Sequence, residues 1–349
     1  MNTLKRFMVG LEAIPTATSW QLTDLGEAKG KQQLFTRQAP QKLKALREHA
    51  LIESAVSSNR IEGVEVPPNR VRPALFGKPL LKDRSEEELR GYRHALEWIH
   101  REGAGMPVTA ATILELHRLS RAGAADAGRY KEKDGDIIEK HPDGRERVRF
   151  RTVPAAKTPG SVADMLAAWA RLEEERRIPE LVLMAGFNLD FLCIHPFRDS
   201  NGRVSRLLFL LQTYHLGYEV GRYISLERLI EQNKERYYET LEISSQNWHE
   251  GKHDPWPYVN YLLFILMEAY REFESRLGQL KEARGAKTEV VLAVIRGMRG
   301  RFKVAELVAA CPGVSMDMIR LVLKDLRRDG RVECLGRGKN AEWERKGKW

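Results

Sequence analysis

The sequence predicts a mainly α-helical body that carries one β-hairpin, followed by a small, separate α+β unit. Three observations lead there. Apolar residues recur at spacings of three and four through most of the first 280 positions. One stretch, "GDIIEKHPDGRERVRFRTV", instead sets two β-leaning runs on either side of the turn signature "HPDG". The charge is also uneven: of a net +10, +8 lies from Lys281 onward (17 Lys+Arg against 9 Asp+Glu) and +2 before it (41 against 39).

Taken in order, the first 40 residues mix Pro, Gly, Gln and Thr and are expected as an irregular arm. A helix is expected from about Gln41 to Arg60, with Leu43, Leu46, Ala50, Leu51, Ser54 and Ala55 in helical register. Gly63 and then Pro67-Pro68 punctuate its end. Ser85 with Glu88 three residues on reads as a capping box, opening a helix to about Arg101. "TAATILELHRLSRA" is the next helix, and the hairpin runs from Asp136 to Val153. Ser161 with Asp164 is expected to cap a helix that continues to about Arg177. "ELVLMAGFNLDFLCI" is apolar on most sides and is expected as a central buried helix. "RVSRLLFLLQTYHL", ending at Gly217, is helical, and "LERLIEQNKERYYETLEISSQN" and "WPYVNYLLFILMEAYREFESRL" are two more helices. In the tail, "KTEVVLAVIRGM", "KVAELVAACPGV" and "SMDMIRLVLKDLRRDG" read as three short helices, the last N-capped by Ser315. "RVECLGRGKNAEWERKG" reads as two short strands around a Gly-rich bend. Three helices and a β-wing make the winged-helix order, a relative of the helix-turn-helix.

Several classes are excluded. The richest apolar stretch, Tyr258 to Tyr270, is shorter than the about 20 residues a bilayer crossing needs. The first 16 residues lack a sustained apolar run with a small-residue cleavage site, so no signal peptide is expected. Cys193, Cys311 and Cys334 are few and scattered, which suits a reducing cytosol and a cytoplasmic protein without membrane partners. No repeat of 20–50 residues argues for a solenoid.

The segment "HPFRDSNGRVSR", His195 to Arg206, carries the chemistry. Arg203 and Arg206 fall in the first turns of a helix whose N-terminus already bears about half a positive charge, so the place calls for an anion. Asn201 and Gly202 tolerate unusual backbone angles and let successive N–H groups converge. Helix N–H groups and two guanidinium groups suit a polyphosphate. Asp199 beside phosphate suggests a divalent cation, since Mg²⁺ binds through one or two carboxylates plus phosphate oxygens. A neutral His195 is placed to take a proton from an attacking hydroxyl. Taken singly, His195 reads equally as a core histidine and Asp199 as the partner of an arginine. The Gly-rich run of a Walker A loop is absent.

This segment resembles the signature of Fic domains, HxFx(D/E)GNGRxxR, with Ser200 where that family usually has Gly. A left-handed backbone there would be resisted by Ser, and a tolerated change with some loss of rate is expected. The resemblance spans about Ser54 to Met267 and includes "ELRGYRHALEW", "ILELHRLS" and "ERYYETLE". It implies a Fic-type helical core and the transfer of AMP from ATP, with Mg²⁺, onto a Ser, Thr or Tyr hydroxyl of a target protein or of the chain itself. His195 would be the general base. Asp199 would hold Mg²⁺, and Ser200, Asn201, Gly202 and Arg203 would cradle the phosphates. Arg206 would bind the outermost phosphate, and Phe197 would anchor the loop. Tyr238 and Leu241 would line the adenine pocket, where Ser245 replaces the Asn of some relatives. Tyr237 and Tyr238 read equally as core. The hairpin, with Ile137 and Ile138, would align the target by strand addition, or it is surface decoration.

"SSNRIEG" resembles the family's inhibitory motif, (S/T)xxxE(G/N), at Ser58, Glu62 and Gly63. Glu62, in the last helical turn, faces the negative end of its own helix and calls for a cation. The resemblance implies that Glu62 pairs with Arg206 and displaces the outermost phosphate. The same glutamate supports removal of AMP in some relatives, and other relatives use other nucleotide donors. The expected organisation is therefore 1–100, a helical region with the inhibitory motif; 101–280, the Fic core; and 281–349, the winged helix. In the tail, Arg320, Lys324, Arg327 and Arg328, with Arg337 and Lys339 in the wing, suit DNA phosphates. Packing, a homodimer contact or target docking would use the same surface. The competing class is a DNA-binding regulator whose core only senses nucleotide.

Overall fold

The computed structural model describes residues 2–346 apart from 11–12, 37–39, 78–80, 82, 141–143, 299, 312–313 and 337–340. These form two compact units, 1–273 and 274–349. The first holds α1 (Thr3–Val9), α2 (Thr16–Thr36), α3 (Pro40–Ile61), α4 (Pro68–Phe76), α5 (Arg84–Glu102) and α6 (Ala110–Ser120). The hairpin β1 (Ile137–Lys140) and β2 (Glu146–Phe150) follows, then α7 (Thr158–Glu175), α8 (Glu180–Ile194), α9 (Asn201–His215), α10 (Leu226–Gln232) and α11 (Lys234–Ser245). The division between units falls within α12 (Trp256–Gly297), after which come β3 (Phe302–Lys303), α13 (Val304–Ala310), α14 (Met316–Arg328), β4 (Val332–Leu335) and β5 (Glu342–Arg345). The molecule is thus mainly helical with two small sheets, as the sequence predicts. No helix among the described residues is long and apolar enough to cross a membrane.

The first unit is built around α8, buried from Leu181 to Ile194, as its all-round apolar sequence demands. It packs on α9, α7 and α1, while α5 and α6 cover α9 and α3 lies across α5 and α10. Two polar residues inside α8 are fully partnered. Asn188 bonds Ser205 and the Tyr258 hydroxyl. Asp190 accepts from the Thr3 and Leu4 N–H groups, both at 3.0 Å, and from Trp248 Nε1 at 2.7 Å. A Cβ on Gly186 would strike the Phe7 ring, so glycine there lets α1 approach.

Those contacts correct the expected irregular arm: residues 3–9 and 16–36 are helical. The cause lies outside the segment, because the free N–H groups that begin α1 are capped by Asp190, and Leu25 of α2 is buried. Further corrections are local. Asp83, not Ser85, caps α5 by accepting from Glu86 N at 3.0 Å, which frees Glu88 for another role. Helix α7 starts at Thr158 with Pro159 in its first turn, so Ser161 and Asp164 lie inside it. The segment after Leu226 is two helices, broken at Asn233, whose amide bonds back to Leu229 O. The two helices expected on either side of Lys281 are one, α12. Helix α4 and strand β3 were not expected. The HPDG tip at 141–143, and Arg337 and Lys339, lie outside the described residues.

The second unit is a small α+β body. Its antiparallel sheet has the order β3-β5-β4, and Trp343 pairs with both Phe302 and Cys334. Ile319, Leu323 and Leu326 of α14 close over Leu307 and Val332. Ser315 caps α14, accepting from Met318 N at 3.4 Å.

Candidate active site

The site forms where α8 hands the chain to α9. His195 closes α8 in a left-handed conformation (φ 52°, ψ 61°), its N–H bonded to Phe191 O at 3.0 Å. Phe197 is fully buried and stacks on His117 with ring centroids 3.8 Å apart. Asn201 ties the loop, accepting from Phe197 N at 2.9 Å and donating to Phe197 O at 2.8 Å. Ser200 is the second left-handed residue (φ 67°), and its hydroxyl accepts from Arg203 Nη2 at 2.7 Å. The unusual backbone angles therefore fall on His195 and Ser200. Asn201 and Gly202, expected to supply them, are already helical. Gly202 serves space instead: a Cβ there would collide with Glu62 Oε1 and lie 3.2 Å from Arg206 Nη1.

Both arginines are buried and partnered by the end of α3. Arg206 Nη2 meets Glu62 Oε1 at 2.8 Å and Ser58 O at 3.0 Å, and its Nε meets the Ser58 hydroxyl at 2.9 Å. Burial works against the charge on Arg206; the Glu62 carboxylate, Tyr92 and Tyr237 together more than offset it. Gly63 (φ 78°) turns the chain just beyond Glu62. Arg203 Nη1 donates to Asn59 Oδ1 at 3.0 Å and to Glu88 Oε2 at 2.8 Å. Arg206 Nη1 and Arg203 Nε are buried without a hydrogen-bond partner, two donors held beside the first turn of α9.

Asp199, expected as a lone carboxylate, is half-exposed and meets Arg121 Nη1 at 2.8 Å and Arg84 Nη2 at 3.4 Å, with Arg203 Nη2 at 3.8 Å. Arg84, Arg121 and Asn59 carried no sequence signal of their own; Glu88 had one, the apparent capping box, that pointed elsewhere.

His195 stands between two cavities. One, of about 260 Å³, is lined by Tyr238, Leu241, Ser245 and Ile137, together with Glu62 and Gly202. The other, of about 540 Å³, is lined by Tyr130, Lys131 and Arg198. Burial, then the positive charge of Lys131, push the His195 imidazole down to about 4, so it is neutral at pH 7. Lys131 is itself buried, donating to the Thr152 hydroxyl at 2.8 Å and to Ile194 O at 3.3 Å. Tyr237 is buried against Tyr258 and Tyr261 and lines the smaller cavity together with Tyr238, whose hydroxyl is 3.5 Å from Ile61 O. Across the hairpin Ile138 pairs with Val148, and both are half-exposed. Arg147 and Arg149 hold β2 to Glu242 at 2.5 and 3.4 Å.

The half-exposed Asp199 carboxylate, with unpartnered N–H groups on Arg203 and Arg206, fits a cation that arrives with phosphate oxygens. Among the described residues no group of three His, Cys, Asp or Glu forms a preformed metal cage.

Residues 107–213 match the model of the Fic/DOC family. The fold is similar to that of a Fic family protein from Desulfovibrio desulfuricans, with 25% identity, TM-score 0.62, and 97% of this chain and 98% of that one covered. It is also similar to a Fic domain containing signaling protein from Bacteroides thetaiotaomicron, at 21% identity and TM-score 0.62 over 73% of this chain and 97% of that one. Fic-1 from C. elegans matches at 20% identity and TM-score 0.55, over 74% and 72%.

Proposed function

Residues 107–213 form a domain of the Fic/DOC family, whose members typically transfer AMP or another nucleotide group to proteins, and on that premise we propose that this protein is a protein adenylyltransferase restrained by Glu62. The observation that carries the reading is the position of Glu62. Its carboxylate lies on Arg206 and over Gly202 at the start of α9, where an outermost phosphate would be drawn, while Arg206 Nη1 has no partner.

In the proposed reaction a target Ser, Thr or Tyr hydroxyl approaches His195, which is neutral and takes its proton. The hydroxyl oxygen bonds to the α-phosphorus of ATP as the bond to pyrophosphate breaks. The first N–H groups of α9, with Arg203 and Arg206, hold the phosphates in line, so catalysis is chiefly positioning and charge stabilisation. Asp199 would hold Mg²⁺, which supplies charge neutralisation to the phosphates when bound. Tyr238 and Leu241 would flank the base, and β1 would present the target by strand pairing.

Glu62→Gly incubated with Mg²⁺ and labelled ATP should acquire label faster than wild type. His195→Ala in that background should acquire none and still bind ATP. A Glu62→Gly variant no faster than wild type removes the restraint; label retained by His195→Ala removes the base.

A second reading concerns the tail. Helix α14 leaves Arg320, Lys324, Arg327 and Arg328 exposed, a surface that suits duplex DNA. Affinity for a duplex should then fall linearly with salt on logarithmic axes, and Arg320→Ala with Lys324→Ala should flatten the slope by about 1 to 2. No retardation of duplex at low salt excludes it.

A further inference from the structure

We propose that Glu88 is the positioning residue for Arg203: a fixed, buried counter-charge that keeps its guanidinium aimed at phosphate. The proposal rests on the phosphate-site reading above. Arg203 is 1% exposed and sits in the first turn of α9, where the helix dipole disfavours a cation. Two carboxylates face it. Asp199 is 3.8 Å away with its side chain 46% exposed, and it shares its oxygens with Arg84 and Arg121. Solvent screens that contact, so Asp199 holds Arg203 only weakly.

Glu88 is different. It is 3% exposed and divides its two oxygens: Oε2 accepts from Arg203 Nη1 at 2.8 Å, and Oε1 accepts from Arg84 Nε at 2.7 Å and Arg121 Nη1 at 3.0 Å. It therefore neutralises Arg203 through Nη1, leaving Nε unpartnered, and holds Arg84 and Arg121, the two cations that also reach Asp199. With Asn59 Oδ1 and the Ser200 hydroxyl taking further N–H groups, the plane of the Arg203 guanidinium is fixed from three elements, α3, α5 and the loop before α9. Should Asp199 turn to a metal ion, Glu88 remains as the anion that keeps three neighbouring arginines in place.

The chain supplies its own control. Glu86, two residues away on the same helix, is equally buried and is bonded by Arg70 at 2.7 Å through both Nε and Nη2. Removing either buried carboxylate's charge strips an arginine of its partner, Arg203 at 1% exposure or Arg70 with its side chain 19% exposed, so both variants should lose stability. In the Glu62→Gly background, calorimetric titration with Mg–ATP should show Glu88→Gln binding about tenfold more weakly, the value of one charge-assisted contact, with Glu86→Gln within about twofold of its parent at a similar melting temperature. Glu88→Asp keeps the charge and withdraws it by one methylene; it should lose about threefold, and it replaces the Gln variant if that one does not fold. Equal losses for Glu88 and Glu86, or none for Glu88, overturn the proposal. If the Glu62→Gly parent itself binds no Mg–ATP, the phosphate-site reading fails first and the role of Glu88 falls with it.

Discussion

Ser200 holds a left-handed backbone that costs a non-glycine residue about 1 kcal/mol, yet its hydroxyl accepts a bond from Arg203 that offsets the cost. The expected resistance of Ser to this angle is thus met by a side-chain contact that glycine cannot make. Ser200→Gly should therefore be within about 0.5 kcal/mol of wild type in urea unfolding, and Ser200→Ala, which keeps the strain and loses the bond, should be about 1 kcal/mol worse than Gly. Equal stability of the two variants would remove this account. His195 makes a second prediction. Burial and Lys131 hold its imidazole at about 4, so transfer by Glu62→Gly should be insensitive to His195 protonation from pH 6 to 8 and should fall only as pH drops toward 4. Lys131→Met removes the repelling charge, and the acid limb should move to higher pH.

At the scale of elements, α8 and the hairpin were readable because each carries its own pattern: apolar on all sides in one, alternation around a turn signature in the other. Helices α1 and α2 were not, since what holds them is remote. Asp190 accepts three hydrogen bonds in a fully buried place, two of them from the start of α1. Asp190→Ala should cost about 3 kcal/mol, and amide exchange should speed up across residues 3–9 before other helices respond. Exchange unchanged in α1 would show that the cap does not hold it. The break at Asn233 is likewise invisible to periodicity, because apolar spacing continues across it. Glu88 shows the opposite failure: a local signature, Ser85 with Glu88, was present, but Asp83 satisfied the helix end first and left Glu88 to tertiary partners.

Across the whole molecule, burial has been spent on neutral histidines. It is the first cause that pushes His100 down to about 3 and His117, His195 and His253 to about 4, from an ordinary 6.5. Between pH 6.5 and 4 the unfolded chain therefore binds more protons than the folded one, so stability falls as pH falls through that window and is unaffected by these groups above it. Each contributes a slope of up to about 1.4 kcal/mol per pH unit. The urea midpoint should drop between pH 7 and pH 5, and an unchanged midpoint would contradict the burial of these rings. The charge asymmetry read at Lys281 lies close to the boundary between the units at 273 and 274, because a separate body carries its own surface composition.

By itself the sequence determined the helical character of the body, the small α+β tail, and the grouping of His195, Phe197, Asp199, Arg203 and Arg206 in one short segment. These follow from near-neighbour spacing, which the backbone geometry of a helix or turn converts directly into position. Only the tertiary structure decided what each charge faces. That Arg206 meets Glu62, that Asp199 is claimed by Arg121 and Arg84, and that Glu88 binds three arginines depend on helices α3, α5, α6 and α9 crossing at one point. No local pattern encodes that crossing, because long-range packing sets it, and with it the dielectric and the partners that give each charge its role.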